Sequence, residues 1–130
     1  MHSCRWTVLA VLALGACAAT PGAKALETAN YGPTPTASLA ARIREAFRPL
    51  LLDPDQAEFR CGEPEQGWGH DQKGFVYGWV IWTDVNAKNQ FGAFTGWRTY
   101  KVLTVDSEVH SIYEPEGQDL FGQPKFNKVR

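Results

Sequence analysis

Between Phe75 and Val85 the side chains alternate. Phe75, Tyr77, Trp79, Ile81 and Val85 share one parity, while Val76, Gly78, Val80, Trp82 and Asp84 share the other. A period of two is the signature of a β-strand that buries one face. Its aromatic and β-branched content favours the same conformation. The mixed second parity implies partial cover on that face as well. This stretch obliges the chain to build a sheet around it.

The flanking segments supply what such a strand needs. Thr36 to Arg48 places Leu39, Ile43 and Phe47 on one helical face, with Ala40 and Ala46 beside them. Thr34 or Thr36 suits the cap, and Pro35 suits the first turn. Pro49 should end the helix near Phe47 or Arg48. Ala57 to Cys61 reads as a short strand, and Ala93 to Thr104 and Val109 to Tyr113 as later ones. Asp53-Pro54-Asp55 and Asp106-Ser107 are turn signals. Residues 62 to 74 hold four glycines with Trp68, His70 and Asp71, and read as a long functional or mobile loop. The expectation is an α+β fold, one N-terminal helix packed on a three- to four-stranded antiparallel meander sheet. Residues 36–113 would form that domain, and 114–130 an irregular C-terminal tail.

The amino terminus carries an address. Arg5 precedes an uncharged apolar run, Trp6 to Leu14, which ends in Gly15 and Ala16. This is the layout of a secretory leader. The run is about half of the roughly 20 residues that a membrane-spanning helix requires. The sequence Leu14-Gly15-Ala16-Cys17 resembles the lipobox of bacterial lipoproteins. The resemblance implies a signal peptide over residues 1–16 and acyl chains on Cys17. With two or more chains the anchor is stable. It also implies a periplasm-facing location, and Ala18, where an aspartate would retain the protein at the inner membrane, favours the outer membrane. The alternative is an ordinary secreted protein cut nearby, after Ala19 or Ala23. Residues 17–35 are rich in Ala, Thr, Pro and Gly and read as the lipidated cysteine and a flexible tether. Fully extended, they would reach roughly 60 Å.

Removing the leader from the 130-residue chain leaves 114 residues, enough for one small domain. The formal charge moves from −1 to −2 with the loss of Arg5. Such a balance excludes a phosphate-driven nucleic-acid partner. Of the three cysteines only Cys61 remains outside the leader and the lipid site, so no intramolecular disulfide can form in the mature chain. A lone thiol there is expected to be buried and inert.

One further segment stands out, Val85-Asn86-Ala87-Lys88-Asn89-Gln90-Phe91-Gly92-Ala93-Phe94-Thr95-Gly96. It resembles a motif of small uncharacterised bacterial proteins, many with signal sequences. Asp53-Pro54-Asp55-Gln56-Ala57-Glu58-Phe59 resembles an upstream motif of the same group. The resemblance covers about residues 39 to 105. Those proteins often carry a cysteine shortly before the asparagine motif, where this chain has Trp82-Thr83. Asparagines bond readily to nearby backbone and tolerate left-handed conformations, which suits a tight connection. The functional alternative makes Asn86, Lys88 and Asn89 a polar cluster for a ligand or partner, with Trp68 and Trp97 as aromatic contacts.

No catalytic set is legible. His70 and His110 lie far apart, no paired-ligand spacing suggests a metal, and neither a phosphate loop nor a nucleophile elbow is present. No cofactor is expected. The sequence points to a non-enzymatic interaction module of the cell envelope, held to the membrane through acylated Cys17 and contacting an envelope protein. The alternative is a small-ligand or glycan binding module, and a more distant one a hydrolase.

Overall fold

The computed structural model describes residues 20–118, 120 and 124–130. The leader 1–16 and the lipid-attachment residue Cys17 lie outside the described residues. Two helices, α1 (Ala23–Thr28) and α2 (Leu39–Phe47), precede six strands. These are β1 (Glu58–Cys61), β2 (Glu65–Asp71), β3 (Gly74–Lys88), β4 (Phe94–Val105), β5 (Glu108–Gln118) and β6 (Pro124–Lys128). No helix among the described residues is long and apolar enough to cross a membrane.

All strand pairings are antiparallel. β3 is the spine, with β4, β5 and β6 following on one side in sequence order. On its other side β2 pairs with the first half of β3, and β1 with the second half. The register sets Ile81 opposite Val102 and Val102 opposite Ile112. Directly opposed residues share a face, so these side chains form one apolar surface. α2 buries Leu39, Ile43, Ala46 and Phe47 against it. Phe47 meets Phe59 and Tyr100 edge-on, with ring centroids 5.6 and 5.1 Å apart. Pro49 stops α2 by entering a 3₁₀ turn, Arg48–Leu50. Arg130 Nη1 donates to Ala46 O at 2.9 Å and serves the last turn of the helix.

The second face is closed by the sheet itself. β2 curls over it, and the hydroxyl of Tyr113 on β5 accepts from His70 N at 3.1 Å. A Cβ added at Gly69 would stand 2.4 Å from that hydroxyl and 2.9 Å from Leu103 Cδ2. Only glycine permits this approach. From β6, Phe126 reaches back to Trp82 on β3, with centroids 5.5 Å apart.

This architecture corrects the expected single helix on a three- to four-stranded meander. The sheet has six strands and dominates the chain, and a second, short helix is present. The extra elements lie where local propensity was weakest. β2 occupies the glycine-rich stretch, where Gly67 and Gly69 answer to close neighbours and only Gly74, at φ 126°, serves the turn into β3. β5 extends to Gln118 through Pro115 because the register shifts between Pro115 and Gly117, and a bulge tolerates proline. β6 lies in the segment read as an irregular tail, and α1 in the segment read as a tether.

Candidate functional site

The asparagine motif forms the connection between β3 and β4. Asn89 is its centre. Its backbone N–H donates to Ala93 O at 2.9 Å, and its carbonyl accepts from Gly92 N at 3.0 Å. Its side-chain Oδ1 accepts from Phe91 N at 2.9 Å and Ala93 N at 3.2 Å. Gly92 takes φ of 77°, a left-handed conformation that closes the turn. Asn86 works below it. Its Oδ1 accepts from Gly96 N at 3.1 Å, and its Nδ2 donates to Glu58 Oε2 on β1 at 3.1 Å. These bonds hold a bulge, for the pairing shifts between Asn86 and Lys88.

Both amides are therefore engaged inside the hairpin. Lys88 is directed elsewhere, its Nζ 5.3 Å from the centroid of Phe94. Trp97 carries the Arg60 guanidinium on its face at 3.9 Å. Asn86, Lys88 and Asn89 do not converge as a polar cluster, for the two amides turn into the hairpin and the lysine lies beside Phe94. The fold uses them to present an aromatic tip: Phe91 is 84% exposed, with Phe94 and Trp97 also exposed behind it.

Trp68 lies at the other end of β3, opposite Tyr77, whereas Trp97 is opposite Asn86. Nine strand positions separate the two, about 30 Å at 3.3 Å per residue. There an open groove of about 370 Å³ is walled by Leu26, Tyr31, Trp68, Val80 and Trp82, with Lys101 among them. Lys101 Nζ donates to Trp68 O at 2.8 Å and lies 5.0 and 5.4 Å from the ring centroids of Trp68 and Tyr113. Burial pushes its pKa below the ordinary lysine value. The Trp82 indole donates to the Glu65 carboxylate at the rim.

Sequence reasoning missed Tyr31, Trp82 and Lys101, since nothing local marks them as neighbours. It also missed a chain of polar groups on β5 and β2. His110 Nδ1 lies 2.7 Å from Ser111 Oγ, and His110 Nε2 is 4.0 Å from Asp71 Oδ2. The residue types are those of nucleophilic hydrolysis, but Ser111 is 0% exposed and no substrate carbonyl can reach it. Cys61 is at the surface of β1. Desolvation raises its pKa, opposed by a hydrogen bond from Thr83 and the charge of Arg44, so the thiolate that makes a cysteine reactive is disfavoured. Among the described residues no three His, Cys, Asp or Glu side chains gather to hold a metal.

The chain matches no family model, and no curated protein or solved structure is significantly similar to it.

Proposed function

We propose that this protein is a non-enzymatic interaction module of the bacterial cell envelope, anchored through acylated Cys17, which contacts a protein partner with the β3–β4 tip. The observation that carries this reading is the construction of the tip. Asn86 and Asn89 spend their side-chain bonds on fixing backbone, and the product of that order is an exposed Phe91. A rigid aromatic on a preorganised loop is what a protein interface uses as an anchor, because little freedom is lost on binding. Lys88 and Arg60 beside the rings supply a polar rim.

A photoreactive residue at position 91 tests this in intact cells. One discrete adduct of constant mass is expected. A smear of abundant neighbours would reject the tip as a contact site.

A second reading, binding of a small ligand or glycan, has one specific support. The groove sets a half-buried ammonium between aromatic walls, a combination suited to an anionic saccharide. Tryptophan fluorescence titrated with anionic cell-wall fragments should then respond in the wild type and not in Lys101→Met.

A further inference from the structure

We infer that the bilayer carrying the acyl chains of Cys17 also touches the domain, and that the surface it touches is α1 together with the aromatic face of the β2–β3 hairpin. The inference rests on the anchored reading above and adds an orientation to it.

The first argument is the length of the leash. The segment after Cys17 is tied to the domain at several points from Pro21 to Gly32. Pro21 is buried, and Leu26 of α1 lines the groove beside Trp68. Tyr31 packs edge-on against Tyr77, with centroids 6.0 Å apart, and its hydroxyl donates to Leu26 O at 2.9 Å. The Trp79 indole donates to Gly32 O at 3.2 Å. Only four residue steps separate Cys17 from Pro21, and fully extended they reach about 14 Å. The polar zone of one leaflet is only about 5–7 Å thick, so even a taut leash keeps this end of the domain within about 10 Å of the headgroup surface.

The second argument is the chemistry of the surface at the end of the leash. Trp68 and Tyr77 are opposed across the β2–β3 hairpin, as are His70 and Phe75, so all four share one face. Their rings form a continuous chain that Tyr31 extends. Trp68 lies 5.6 Å from Phe75, Phe75 6.4 Å from Tyr77, and Tyr77 6.0 Å from Tyr31. Phe75 stays 36% exposed. Tryptophan and tyrosine rings concentrate at membrane–water boundaries, where an apolar body and a polar edge are both accommodated. The orientation has a consequence for the tip. β3 runs from Phe75 at the lipid to Lys88, so Phe91 is carried to the side facing away from the membrane.

The test uses the full acylated chain in vesicles of phosphatidylethanolamine and phosphatidylglycerol whose acyl chains are brominated near the glycerol. Bromine quenches nearby indoles. Quenching is expected in the wild type, its largest single share lost in Trp68→Phe and none lost in Trp97→Phe. A Gly-Ser segment inserted between Ala19 and Thr20 should abolish the quenching while leaving the hairpin untouched. A chain that carries acyl mass and floats with the vesicles, yet shows no quenching or loses it with Trp97→Phe, overturns the orientation and leaves the anchor standing. A chain without acyl mass that stays off the vesicles overturns both.

Discussion

The two ends of β3 are built in different ways. The tip is held mainly by bonds that span few residues, Asn89 to Phe91, Asn89 to Ala93 and Asn86 to Gly96, with one longer bond from Asn86 to Glu58. The closed end is held by side chains that reach across the molecule. Lys101 donates to Trp68 O, Tyr113 bonds to His70 N, and Lys128 Nζ donates to His70 O at 3.4 Å. There Trp68 O and the amide and carbonyl of His70, on the edge of β2 away from β3, are capped by side chains of β4, β5 and β6. An unpaired edge invites association with other chains, and these caps protect it. Local order thus produces a presented element at one end, and long-range order a sealed one at the other.

Substitutions separate the two ends by size of effect. Gly69→Val should be the most damaging, because its side chain would occupy the space of the Tyr113 hydroxyl and the Leu103 methyl. A loss of about 1–3 kcal/mol is expected from urea unfolding, the range for overpacking. Tyr113→Phe removes the hydroxyl that accepts from His70 N and should lose about 1–1.5 kcal/mol. Asn89→Ala removes two acceptor contacts at an exposed turn, and about 1 kcal/mol is expected. An equal or larger loss at Asn89 than at Gly69 would break the contrast.

Lys101 sharpens it through pH. Its pKa is lower in the fold than in the unfolded chain, where the ordinary value is 10.5. The unfolded state therefore holds the proton over a window in which the fold has released it. In that window the Lys101 contribution to stability rises with pH. Relative to Lys101→Met, the wild type should gain stability as pH climbs from neutrality toward 10.5. A constant difference between the two proteins would contradict the burial of this ammonium.

The same division explains what the sequence reveals. Alternation from Phe75 to Val85 and the face Leu39, Ile43, Phe47 are local periodicities, and β3 and α2 follow them. Asn86 and Asn89 carry their meaning in their own side chains, which is why a structural turn could be read beside a ligand cluster. β2 was illegible for the opposite reason. Gly67 and Gly69 look like turn residues until Val80 and Tyr113 are known to stand against them. β6 depends on pairing with a proline-containing strand. The groove joins Leu26, Trp68 and Lys101 from three distant segments, and no spacing announces such a meeting.

Phe91→Ala gives the most direct test of the claim that the tip exists to be contacted. Phe91 is largely solvent-exposed, so its removal should change stability by less than about 0.5 kcal/mol. The same substitution should eliminate the adduct formed by a photoreactive residue at Gln90 in intact cells. Unfolding curves that superimpose while the adduct disappears are the predicted result. An adduct that persists, or a variant that loses stability beyond that margin, would show that Phe91 serves the fold or nothing, and not a partner.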